Sequence, residues 1–200
     1  MRTTKEDVLI QKQTIVDAAF EAFSSRGYDT VKLDDIAEQI GISRSPLYYH
    51  FGSKYKLFVE VIDNYSRALV QKYRNIYSMP IDIFDKIEKG ISLSISEETK
   101  PFGRLFSEAQ TLGKKNPELS QKIDDYLMTL VDIKASAVGQ AIAEGRIKAG
   151  TDPQFLVKQT FYFFYGIESI ISMQQPYWAS LDHQLAIKSF IHMLRMEYET

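Results

Sequence analysis

Residues 41–54 read GISRSPLYYHFGSK, a run that sets two basic residues, a proline, two tyrosines and a histidine side by side. Such a run is either the buried corner of a helical protein or a surface that grips something. Its local grammar is helical. Gly41 can adopt the left-handed conformation that ends a helix. Ser43 reads as the N-cap of a short helix. Pro46 then falls in the first turn, where N–H groups lack intrahelical partners and a proline removes no bond. A further helix starts near Ser53 and carries Leu57, Phe58, Val61, Ile62, Tyr65 and Leu69 three and four residues apart.

Upstream, Lys32 to Ile40 forms another short helix, with Leu33, Ile36, Ala37 and Ile40 on one stripe. Residues 32–51 therefore have the form of a helix-turn-helix, two short helices joined by a glycine-containing turn. Ile36, Ala37, Ile42, Leu47 and Phe51 would face inward. Arg44, Ser45, Tyr48, Tyr49 and His50 are left with polar tips outward, although one tyrosine ring is expected to rest partly on the first helix. In such a motif the second helix enters the DNA major groove. Arg44 can donate two hydrogen bonds to a guanine, and its own helix offers no acid to occupy it. Ser45 can donate or accept, and the tyrosine and histidine tips have a reach suited to phosphate oxygens. Lys32 and Lys54 each stand at a helix start, where a lysine opposes the dipole and a phosphate partner would relieve it. From Gln39 to Phe58 the charged residues are Arg44, Lys54 and Lys56, whereas Asp34, Asp35, Glu38, Glu60 and Asp63 flank the window. A local basic window in a chain of net charge −2 is an anion-binding signal that total charge conceals.

The rest of the 200 residues continues in helices. Thr4 precedes Glu6 and Asp7 as the cap of a first helix ending at Gly27. Pro80, Lys100-Pro101, Asn116-Pro117, Asp152-Pro153 and Gln175-Pro176 punctuate the remainder, and Asp182 opens the last helix. Strand alternation is absent, so the expected class is all-α with about nine helices. The segment from Phe155 to Met173 is apolar on nearly every face, as is the last helix. Helices apolar all round are buried from more than one side, which points to a homodimer formed through helices 153–174 and 182–197. No apolar run approaches the ~20 residues of a membrane span, and the N-terminal MRTTKEDVLIQKQ turns polar too soon for a signal peptide. With no cysteine and a cytosolic reading, neither cofactor nor metal is expected. His50, His183 and His192 make no Glu-x-x-His pair, and no phosphate loop or nucleophile motif occurs. An enzyme is the rival class these absences disfavour, and a purely protein-binding helical module would leave the basic helix unexplained.

From Gly27 to Lys54, GYDTVKLDDIAEQIGISRSPLYYHFGSK resembles the DNA-binding domain of the tetracycline-repressor (TetR) family. Ile36-Ala37, Gly41-Ile42-Ser43, Leu47-Tyr48, His50-Phe51 and Ser53-Lys54 match its pattern in order and spacing. Val31 and Lys32 stand where the family usually carries two threonines, and Ser45 satisfies a position that is usually small. The resemblance implies a DNA-binding domain over residues 1–65 and a helical sensing and dimerising domain over 66–200. It implies that Lys54 meets backbone phosphate at a palindromic operator on double-stranded DNA. It further implies a repressor released by a small-molecule effector, with an activator or co-repressor-dependent regulator as the alternative. In the sensing domain, composition singles out Phe102, Phe106, Tyr126, Met128, Phe161 and Tyr165, with Gln110 or Glu168 as polar anchor. A ligand matching that lining is mainly apolar, and either aromatic or cationic.

Overall fold

Helical spacing of apolar residues organises nearly the whole chain. The structure, a computed structural model, describes residues 5–172 and 182–200. Among these, nine α-helices follow one another: α1 (Lys5–Arg26), α2 (Leu33–Gln39), α3 (Ser45–Phe51), α4 (Lys54–Tyr77), α5 (Ile83–Ser94), α6 (Lys100–Gly113), α7 (Pro117–Ala143), α8 (Pro153–Ser172) and α9 (His183–Tyr198). The β structure of the described residues is one isolated bridge, Ile147 to Glu199. The all-α class is thus the one the chain adopts. No helix of the described residues is long and apolar enough to cross a membrane. The Thr4 cap, Met173 and the Gln175-Pro176 stop lie outside the described residues.

Two boundaries differ from the sequence reading for local reasons. Lys100-Pro101 does not precede α6 but begins it, because a proline in a first turn removes only an N–H that has no helical partner. Ser43 is not the cap of α3. That position belongs to Arg44, already in helical conformation at φ −65° and ψ −26°, with no side-chain capping bond. A capping hydroxyl would bond the second or third helical N–H. Here the second is Pro46, and the Leu47 N–H is taken by the Arg44 carbonyl at 3.1 Å.

The chain gathers into two compact units, Met1–Ala68 with Pro101–Asp124, and Leu69–Lys100 with Asp125–Thr200. In the first, Ile15, Phe23, Ile36, Leu47, Leu57, Phe58 and Ile62 are buried almost completely. Phe58 takes Phe23 edge-on at 5.4 Å and Tyr28 at 4.7 Å, a geometry the ring quadrupoles favour. In the second, Ile83, Phe84, Ile87 and Ile91 of α5 are buried, as are Ile187, Ile191 and Leu194 of α9. Phe163 of α8 stacks on Phe190 of α9 at 4.1 Å.

Polar contacts fix how α9 ends on α5. Arg195 reaches Asp82 at 2.9 Å, Asp85 at 2.8 Å and Glu199 at 2.9 Å, while its guanidinium lies 4.8 Å from the centre of the Phe84 ring. Asp82 also caps α5 by accepting the Phe84 N–H. Arg195→Ala removes the packing stem and leaves three carboxylates facing one another. It should lower stability by about 1–3 kcal/mol in a urea titration. An unchanged midpoint would reduce the cluster to a solvated surface contact.

Candidate functional site

The turn between α2 and α3 is built from backbone geometry that glycine supplies. Gly41 has φ +68°. Its N–H donates to the Glu38 carbonyl at 3.1 Å, and that of Ile42 donates to the Ala37 carbonyl at 3.0 Å. These paired bonds close α2 in the Schellman pattern and aim α3 away from it. Leu47 and Phe51 are buried, so the inward side of α3 is fixed and its other side is left for solvent or a partner. Gly52, at φ +72°, ends the helix. The Ser53 hydroxyl then accepts the Lys56 N–H at 3.2 Å and starts α4.

The candidate contact residues fall into two groups on this frame. Ser43, Arg44, Ser45, Tyr48 and Tyr49 are exposed. The Tyr49 side of the helix is the most open, with that residue 82% accessible. Tyr48 is more covered than Tyr49, at 52% accessible, while Leu47 and Phe51 occupy the inward side. His50 reaches α1 through a 3.1 Å hydrogen bond between its Nε2 and Gln11 Oε1. Lys54 is half-buried. It donates to the Asp29 carbonyl at 3.1 Å and lies 4.5 Å from the centre of the Tyr28 ring. Lys32 is exposed as the residue before α2, and its backbone N–H donates to Asp35 at 3.2 Å. Lysine has no acceptor to return that bond, so only one half of a capping box forms.

Arg44 does have an acid, which reasoning along its own helix missed. Its Nε lies 2.6 Å from Asp34 of α2, with the arginine side chain 67% accessible. Asp34 sits across the turn, and only the tertiary angle of the two helices brings the pair together. An exposed pair of this kind is worth about 0–1 kcal/mol, while a bidentate arginine–guanine contact is worth about 1–3 kcal/mol. DNA can therefore displace Asp34 at little cost.

A second contact ties the start of this motif to α6. The Tyr28 N–H donates to Glu108 at 2.9 Å. Gly27 has φ +82°, and a Cβ there would stand 2.9 Å from the same carboxylate. Glycine is favoured here by conformation, and a side chain would also have to push the Glu108 carboxylate off its bond to Tyr28.

The residues singled out for ligand contact divide between the units. Phe102 and Phe106 of α6 are buried 5.6 Å apart in the first, and Gln110 is half-buried. In the second, Tyr126 is buried, Phe161 and Glu168 are half-buried, and Met128 and Tyr165 are exposed. The Met128 position faces solvent because α7 turns its buried stripe elsewhere. Burial raises the Tyr126 and Glu168 pKa values. Tyr73 and Tyr165 also contribute at Tyr126, so each of them lies near its hydroxyl.

Sequence reasoning missed Lys134, the charged residue at the centre of this second-unit cluster. It is 6% accessible. Its Nζ lies 4.9 Å from the centre of the Tyr73 ring and 4.3 Å from that of Phe161. Burial lowers its pKa to about 8. A signal for it did exist: Leu119, Ile123, Tyr126, Leu130, Lys134, Val138 and Ala141 recur three and four apart, and all are buried.

A buried two-helix frame presenting an open second helix, followed by a separate helical unit, defines a helix-turn-helix regulator. Comparison with known proteins specifies which kind. The family described as "Bacterial regulatory proteins, tetR family" matches residues 15–61. The biofilm operon icaADBC HTH-type negative transcriptional regulator IcaR of Staphylococcus aureus is 32% identical over 130 residues, covering 58% of this chain and 68% of that protein. The chain belongs to the TetR family. Two solved structures share its fold. A putative transcriptional regulator from Saccharomonospora viridis in complex with choline has a TM-score of 0.80 at 15% identity, covering 93% of this chain and 95% of its own. The regulator FadR from Bacillus subtilis in complex with stearoyl-CoA has a TM-score of 0.71 at 21% identity, covering 91% and 96%.

Proposed function

We propose that this TetR-family regulator represses transcription by binding a palindromic operator as a homodimer, and that a small molecule held in its second unit releases it. Residues 1–65 engage DNA, and residues 66–200 sense and dimerise. The observation that carries the reading is the polarity of α3. Its apolar side is spent on the core, while Arg44, Ser45, Tyr48 and Tyr49 stay open on a helix that bears no acid. Repression rather than activation is supported by the relative from Staphylococcus aureus, named a negative regulator. An effector is supported by the choline and stearoyl-CoA complexes of the two structural neighbours.

In this reading Arg44 and Ser45 face base edges. Tyr48, Tyr49, Ser43 and Lys32 face phosphates. His50 holds α3 against α1, and Lys54 swings from Tyr28 to a phosphate. The effector contacts Tyr126, Phe161, Tyr165 and Glu168. The dimer forms through residues 153–174 and 182–197, where Phe155, Tyr162, Leu185, Met193 and Met196 are exposed apolar side chains.

Selection of bound fragments from genomic DNA gives the operator, and fluorescence anisotropy then measures affinity. Arg44→Ala should weaken operator binding by about 5–150-fold and relax the preference at one base pair. Lys54→Ala should weaken all sequences alike and reduce the slope of log affinity against log salt by about 1. Wild-type affinity and salt dependence in both variants would overturn the reading.

A further inference from the structure

Among the described residues Lys134 is a buried cation with no carboxylate paired to it. It stands at mid-length in α7, between Leu130 and Val138 on the buried stripe, and both neighbours are nearly inaccessible. Among the described residues no carboxylate comes within ion-pairing distance of its Nζ, and no acceptor takes a hydrogen bond from it. Its contacts are the faces of Tyr73 and Phe161. The Tyr73 hydroxyl is already engaged, since it donates to the Gly90 carbonyl at 3.1 Å and shares a hydrogen bond with Ser94. Arg195, the other well-anchored cation of this unit, has three acids. Buried charges are ordinarily paired, because desolvation of a lone ion is costly and two ring faces offset only part of that cost.

What Lys134 lacks is an anion, and the cluster around it has the lining of a ligand site. Tyr126 lies near both Tyr73 and Tyr165, so the ammonium over the Tyr73 and Phe161 rings adjoins a wider group of aromatic side chains. A ligand with an acidic head and an apolar body would satisfy both parts. A cation, one of the options the aromatic composition alone allowed, would meet like charge.

We propose that Lys134 anchors an anionic amphiphile, its carboxylate or phosphate monoester taken by the ammonium between Tyr73 and Phe161 and its apolar body laid against Tyr126 and Tyr165. The proposal rests on the reading of the second unit as the effector-binding part, and it changes the effector from an apolar or cationic compound to an acid.

Thermal melting of the full chain tests it with four probes sharing one alkyl chain, each below its micelle concentration: decanoate, decyl phosphate, decanol and decyltrimethylammonium. One or both anions should raise the melting temperature by at least about 3 °C, and which one does so separates carboxylate from phosphate. Decanol and the ammonium should not. Lys134→Met, which keeps length and volume, should lose the anion shift, and Lys134→Arg should keep part of it. No shift with either anion, an equal shift with decanol, or a shift that survives in Lys134→Met overturns the proposal. Operator binding without any probe separates this result from the regulator reading. Lys134→Met should bind DNA as wild type does, and failure of wild type to bind any genomic fragment would sink the regulator while leaving the anion site standing.

Discussion

Replacing Tyr162 with glutamate and Leu185 with aspartate is expected to leave a folded chain of 23.0 kDa in place of the proposed dimer of twice that mass. Tyr162 is 71% accessible and Leu185 similarly open, so new charges there disturb no core of the single chain. Each would instead be trapped in the proposed interface without a partner, which costs several kcal/mol on association. Phe155 and Tyr162 are two turns apart on α8, and Leu185, Met193 and Met196 recur on α9, with the two helices joined by the Phe163–Phe190 stack. Operator affinity should fall with the mass. Two linked recognition helices gain about 10²–10⁴ over one, so the monomer should bind a full operator little better than a half-site. Light scattering and anisotropy on the same sample check both results, with circular dichroism confirming the helical fold. A monomer that keeps full operator affinity, or a variant that stays dimeric, would remove α8 and α9 from the interface.

Lys134→Met should stabilise the ligand-free protein, an unusual direction for a buried substitution. A lysine pKa lowered from 10.5 to about 8 means that folding disfavours the charged form. The folded-state pKa lies below the unfolded one, so the destabilisation is fully present below pH 8 and fades as pH rises toward 10.5. At pH 7 it amounts to about 3 kcal/mol. Methionine fits between two rings with a favourable sulfur contact and carries no such penalty. The variant should therefore exceed wild type by about 3 kcal/mol in denaturant titrations at pH 7, with the gap closing through pH 8 to 10.5. Tyr73, whose pKa burial raises to about 12, titrates above this range and leaves the comparison between pH 8 and 10.5 intact. A destabilised variant, or a gap independent of pH, would mean that the lysine is held by favourable contacts and is no functional strain.

The parts of the fold legible in sequence were those written in local pattern. Gly41, the stripe Leu33, Ile36, Ala37 and the inward Leu47 and Phe51 are consequences of spacing and backbone freedom, and the helix-turn-helix follows from them. The Asp182 and Asp152-Pro153 starts are local in the same sense. What could not be read are relations between elements. Asp34 meets Arg44 only because α2 and α3 cross at one angle, and His50 finds Gln11 of α1 although its own neighbours suggest an outward tip. Lys134 was hidden for another reason. A lysine in a long helix is ordinarily solvated, and only the register from Leu119 to Ala141 shows that this one takes a core position. The candidate effector residues were chosen by composition, which cannot distinguish exposed Met128 from buried Tyr126 two residues away on the opposite side of the helix.

The ion pair between Arg44 and Asp34, with the seat of Lys54 on Tyr28, bears on how the protein would behave as its surroundings change. Each free cation that neutralises a phosphate expels a counterion and adds about 0.9 to the dependence of log affinity on log salt. Here two of the three positive charges in the reading segment are already engaged within the chain. Lys54 gives up only a ring face and a carbonyl on meeting a phosphate and still expels a counterion, whereas Arg44 exchanges one anion for another, so the loss of sensitivity to ionic strength falls on Arg44 alone. The salt dependence of operator binding would then be shallower than the number of basic residues in the segment suggests.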